Sequence, residues 1–107
     1  FAKGTPTVIA AALTDANNTN VVVVTGQGYG SVTALSTALT AIGSGFDETA
    51  GVIVVFFNTT TNVAEVYYDA APGTTGITTG ELLCSLTGIT SYTGLDALVG
   101  TNFSVVA

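Results

Sequence analysis

Reactive side chains are few: seven carboxylates, one amine and one thiol in 107 residues, with no histidine. The acids are Asp15, Asp47, Glu48, Glu65, Asp69, Glu81 and Asp96, the amine is Lys3 and the thiol is Cys84. Without histidine the chain lacks the side chain whose ordinary pKa makes a general base near neutral pH. Paired carboxylates remain as a route to glycoside hydrolysis, which needs two of them facing each other across a cleft. Asp47 and Glu48 are adjacent in a loop, and sequence neighbours seldom converge that way. Glu65 and Asp69 flank Tyr67 and Tyr68, a pair that looks like a sugar platform. Strand alternation, however, sends those tyrosines to opposite faces. Catalysis is not expected. Cys84, in the run "LLCSL", reads as a small buried hydrophobe, with no cation nearby to lower its pKa. A lone cysteine excludes an internal disulfide.

Calcium has a better claim than any reaction. The acids in "FDET", "YYDAAPG" and "TGLDAL" make Asp47, Glu48, Asp69 and Asp96 the candidate ligands. A site needs several oxygens converging at about 2.4 Å, and each of these loops offers one or two. Solvated carboxylates are the plainer reading, and no other cofactor is expected. Asn17, Asn58 and Asn102 each begin an Asn-x-Ser/Thr triplet and are candidate glycosylation sites if the chain is made where such sites are modified. The stretch "VVVVTGQGYGS" places a glycine-rich turn between an apolar run and a helix start, as in phosphate-cradling turns. The spacing is G-x-G-x-G rather than G-x-G-x-x-G, and no strand–helix alternation is expected to follow and build a parallel sheet. A tight turn into a helix is the better reading.

Composition narrows the partners. Charged residues are 7% against about 25% in an ordinary domain, and the net charge is −6. One lysine cannot neutralise a phosphate backbone, so nucleic acid is excluded, and anionic membranes are disfavoured. The apolar runs are too short to span a bilayer as helices, so no membrane insertion is expected. The start "FAKGTPTVIAAALTD" carries one cation and too short an apolar run for a secretion signal. A surface of Thr, Ser, Asn and Gly has little charge to keep copies apart, which makes copies of the chain itself the expected partner, with carbohydrate the other candidate.

These residues must be positioned mainly by strands. The length fits one domain, and the abundance of Val, Ile, Thr, Phe and Tyr favours pleated surface. Thr5–Leu13 reads as extended, with Pro6 discouraging an inner position. Residues 1–14 are thus expected to be an extended N-terminal segment, able to pair with a neighbouring molecule through Thr7, Val8, Ile9, Ala10, Ala11, Ala12 and Leu13, ahead of a β-rich domain over 15–107. Val21–Thr25 is a strand apolar on both faces. Ser31 is a helix N-cap, and Val32, Leu35, Leu39 and Ile42 repeat at helical spacing, giving one α-helix over about 31–42. Val52–Phe57 and Val63–Tyr68 form a hairpin across "NTTTN". Glu81–Leu86 is a strand with Leu82, Cys84 and Leu86 facing one way. A short helical turn is expected near Leu95–Val99, and "NFSVVA" is a last strand. A strand apolar on both faces must be covered twice. The expected fold is therefore mainly β: a two-layer β-sandwich-like domain of five to six short strands with one α-helix.

"VIVVFFNTTTNVAEVYYD" and "LLCSLTGITSYTGLDALVGTNFSVVA" resemble the C-terminal domain of RTX-type (hemolysin-type calcium-binding) proteins exported by type I secretion. The likeness lies in the strand–Thr-rich turn–strand ending Tyr-Tyr-Asp, the "L-x-G-x-T" step and the closing Phe with apolar residues. "VVVVTGQGYGSVTALSTAL" is similar to the strand and helix that precede this hairpin in the family. The calcium-binding nonapeptide repeats are absent and "AAPGTTG" replaces an Asp-rich turn, so calcium ligands do not carry over. The resemblance implies an extracellular or cell-surface location, export information in Thr101–Ala107, and membership of a larger secreted protein or surface layer.

The sequence thus leads to an extracellular structural module that self-assembles in a surface layer or filament. The alternative is a carbohydrate- or calcium-binding module, with Tyr29, Tyr92 and the loop acids as contacts.

Overall fold

The computed structural model describes residues 1–13, 19–42, 51–70, 77 and 80–103. Among them the chain builds one five-stranded sheet in the order β1 (Ala2–Gly4), β2 (Val21–Val24), β3 (Val52–Asn58), β4 (Val63–Asp69) and β5 (Glu81–Leu86). The first three strands are parallel, and β4 and β5 add antiparallel. Parallel neighbours need a crossover, and both crossovers are helical. Helix α1 (Pro6–Ala12) joins β1 to β2, and α2 (Val32–Ala41) joins β2 to β3. Two 3-10 helices, η1 (Tyr92–Ala97) and η2 (Gly100–Asn102), follow β5.

The β-dominated reading holds, as do the hairpin, the strand over Glu81–Leu86 and the helix behind Ser31. The Ser31 hydroxyl accepts a hydrogen bond from the Ala34 N–H at 3.0 Å, capping α2 as expected. The N-terminal segment is a correction. Residues 2–4 pair inside the chain's own sheet, and Pro6–Ala12 is helical rather than extended. Proline at the first helical position has no N–H to lose, and the alanine run that follows has the highest helix propensity. Ile9 and Leu13, four apart, turn one apolar stripe onto the sheet and are fully buried. The first half of the chain is consequently a strand–helix alternation with a parallel sheet, which the sequence reading did not expect.

Each face of the sheet has its own cover. On one, Ile9, Ala10 and Leu13 of α1 and Leu35 and Leu39 of α2 pack on Val22, Val24, Val52, Val54 and Phe56, joined by Ile77. The Ile77 N–H donates to the Ser36 hydroxyl on α2 at 2.8 Å, tying that residue to the helix layer. On the other face Leu95 of η1, with Leu98 and Phe103, covers Val23, Val55, Phe57, Ala64 and Val66. The second layer of the expected sandwich is therefore built of helices and 3-10 turns, not strands. Lys3, in register with Val23, donates to the Asp96 and Leu98 carbonyls at 2.6 and 3.0 Å. The chain's single cation pins the carbonyl end of η1 against the sheet.

Candidate functional site

Strand β5 ends the sheet, and among the described residues no strand lies beyond it. An edge strand presents unpaired N–H and C=O groups, a template for another strand. Nothing in β5 is buried: Leu82 and Leu83 are 50% and 54% exposed, and Cys84 is exposed rather than buried as expected. The expected common face is also corrected. Cys84 pairs with Val66 and Leu86 with Ala64, but a bulge between Val66 and Tyr67 makes Leu82 the partner of Tyr67. Tyr67 lies on the α-helical side of the sheet, so Leu82 is carried to the face opposite Cys84 and Leu86. Both faces of the edge strand thus bear apolar groups. Its only charge is Glu81, at one end.

A second feature lies where the η1–η2 cover stops. Val21, Ile53 and Tyr68 form one cross-strand row over β2, β3 and β4. With Asn20, Gly51, Asn102 and Phe103 they line a pocket of about 460 Å³. A side chain at residue 51 would overlap the Tyr68 ring and hydroxyl unless that ring moved aside. Phe103 is braced from behind by Phe1, with ring centroids 5.8 Å apart. The Asn102 Oδ1 accepts the Val99 N–H at 2.7 Å.

The glycine turn does hold a true crossover position between β2 and α2, but its backbone is spent within the fold. The Tyr29 N–H donates to the Phe57 carbonyl at 2.9 Å, and the Tyr29 carbonyl accepts the Thr59 N–H at 2.8 Å. Gly28 permits this approach, since a Cβ there would stand 2.7 Å from Thr59 Cγ2. Gly26 takes φ +91°, a left-handed value that favours glycine. Lys3 is committed on the far face, and the strand order never reverses to open a nucleotide crevice.

The other candidates scatter. Asp69 is buried on β4 and has an interaction partner, Asp96 is exposed on η1, and Asp47 and Glu48 lie outside the described residues. No group of three or more potential metal ligands occurs among the described residues. Asn58 is buried, its amide donating to Glu65 and its Oδ1 accepting the Thr60 N–H at 2.8 Å, so its nitrogen is committed rather than presented for glycosylation. Asn102 is exposed, and Asn17 lies outside the described residues. As for the seven residues expected to carry assembly, Thr7 to Ala12 belong to α1 and Leu13 is its cap; Ile9, Ala10 and Leu13 are core, so that segment offers no strand to a neighbour. Tyr29 is buried, whereas Tyr92 is exposed at the start of η1. Burial pushes the Tyr29 phenol above its ordinary pKa, and Gln27 only partly offsets this because it does not reach hydrogen-bonding geometry. Residues 104–107, expected to end in a strand, lie outside the described residues, and Gly100–Asn102 is a 3-10 turn.

No helix among the described residues is long and apolar enough to cross a membrane. Neither the protein-family models, nor the curated proteins, nor the solved structures compared with this chain include a match. The edge strand and the pocket therefore carry the functional argument.

Proposed function

We propose that the chain is an extracellular structural module that associates with copies of itself through the free edge of β5. The observation that carries this reading is an edge strand with exposed leucines and no covering element among the described residues. Soluble proteins ordinarily protect such an edge with inward charges, lysines or proline. Here the bulge is the one protective device, and it supplies apolar groups to both faces. A second copy is the occupant that charge favours. Antiparallel pairing of two β5 strands places the Glu81 of each copy at opposite ends of the pair, so no like charges oppose. The likeness of the second half to the C-terminal domain of RTX-type exported proteins supports the extracellular setting.

Sedimentation velocity over a range of concentrations tests the assignment. The chain is expected to form dimers or larger species, and the double variant Leu82→Lys/Leu83→Lys to sediment as a monomer with an unchanged unfolding midpoint. A wild-type chain that stays monomeric at every concentration overturns the proposal, as does a double variant that still assembles.

A further inference from the structure

The pocket on the η1 side of the sheet lies apart from the β5 edge in its lining, and its chemistry selects a ligand. Its floor is the apolar pair Val21 and Ile53. Its walls include two aromatic residues, Tyr68 and Phe103, and Asn20, Gly51 and Asn102 complete the lining. Among the described residues no carboxylate and no cation lines it. Its volume of about 460 Å³ falls within the roughly 300–1,000 Å³ of pockets that hold small molecules.

Much of the wall is fixed before any ligand arrives. Phe1 braces Phe103, and Lys3 holds η1 in place through the Asp96 and Leu98 carbonyls. The Asn102 Oδ1 is occupied by the Val99 N–H, which leaves its NH₂ group as a donor. Gly51, having no side chain, leaves room beside it for the Tyr68 ring and hydroxyl. Aromatic faces bind apolar C–H surfaces, while amides and a phenol exchange hydrogen bonds with hydroxyls. A neutral polyhydroxylated ring presents both on one small body.

We infer that this pocket binds a neutral sugar unit of a glycan, with Tyr68 as the stacking platform and Asn20 and Asn102 as the hydrogen-bonding rim. The inference does not rest on the β5 edge. The test is calorimetric titration of the full chain with maltotriose, cellotriose and chitotriose, beside a trigalacturonate and indole as acidic and purely apolar probes. At least one neutral trisaccharide is expected to bind at millimolar or better affinity, and Tyr68→Ala to weaken it about tenfold or more. Asn20→Ala, at an exposed side chain, is expected to weaken it several-fold without changing the circular dichroism spectrum. The Leu82→Lys/Leu83→Lys variant is expected to keep the affinity, which separates this inference from the assembly proposal. Absence of neutral-sugar binding up to about 10 mM overturns the inference. So does preference for trigalacturonate or indole, or binding indifferent to both Tyr68→Ala and Asn20→Ala.

Discussion

Val52–Asn58 and Glu81–Leu86 are apolar-rich strands of one sheet, yet in the first every residue but Ile53 is buried and in the second none is. The difference is not hydrophobicity but neighbours. β3 sits between β2 and β4, with α1 and α2 above it and η1 below. β5 sits at the edge, where Leu86, half-buried at its end, packs against the core that includes Leu95 and the rest of the strand is exposed. An apolar run in a sequence therefore states a demand for cover without stating that the chain meets it. Where the chain does not, the same residue types become a surface for association.

The largest expected effect breaks the comparison if it fails. Phe56 is fully buried on β3 and packs at 5.7 Å between ring centroids against Tyr67. Phe56→Ala is expected to cost about 3–5 kcal/mol of stability, through lost burial and the cavity left behind. Leu83→Ala on β5 is expected to change stability by no more than about 0.5 kcal/mol. Urea denaturation of the two variants under conditions where the chain is monomeric reads both numbers. Comparable losses would mean that β5 is covered after all.

A smaller effect addresses the lower cover of β3. Lys3 is the one residue whose charge holds η1 down, through two carbonyls on that helix. Lys3→Met keeps the apolar stem and removes the donors, at an expected cost of about 1–2 kcal/mol. Hydrogen exchange is the sharper readout. The Leu98 N–H, bonded to the Leu95 carbonyl at 3.1 Å, is expected to exchange faster in the variant, while amides of the α2 layer keep their protection. Uniform loss of protection across both faces would show that Lys3 supports the whole fold rather than one cover.

What was legible in the sequence follows the same division. The hairpin was readable because "NTTTN" separates two apolar runs, and the structure places Asn62 at φ 59°, a left-handed value that asparagine tolerates. Helix α2 was readable because a capping serine precedes Leu35 and Leu39 at helical spacing. Helix α1 was not: Pro6 fits a strand start or a first helical position equally well, and a run of alanines carries no periodicity. Whether helices or a second sheet would cover "VVVV" and "VIVVFF" was also beyond local reading, because a buried parallel strand and a sandwich strand have the same residues. The bulge that turns Leu82 away from Cys84 leaves no mark in composition, so the apolar character of both faces of β5 was hidden. The pocket was least legible of all. Its residues come from four separate stretches of the chain and meet only through strand register and the path of η2.

The smallest expected effect concerns the upper cover of β3. Tyr29 belongs to the α-helical core, 7% exposed, and its hydroxyl has no hydrogen-bond partner. A buried hydroxyl without a partner is a net cost, so Tyr29→Phe is expected to stabilise the domain by about 1 kcal/mol at neutral pH. Alkaline conditions enlarge the difference. Burial raises the phenol's pKa in the folded state above the ordinary value of 10.0. Below that value both folded and unfolded chains keep the proton and pH has no effect through this group. As pH rises through the unfolded pKa and on toward the raised one, the unfolded chain ionises first, and the folded state loses stability. Tyr67 adds a loss of the same sign, because partial burial and the Glu65 charge raise its pKa too. Unfolding midpoints measured from neutral pH to above pH 10 should therefore fall less steeply in Tyr29→Phe than in the parent chain, with Tyr67 accounting for part of the slope that remains. A variant whose alkaline slope matches the parent's would place the Tyr29 hydroxyl in contact with water, and the upper cover of β3 would then be looser than its lower one.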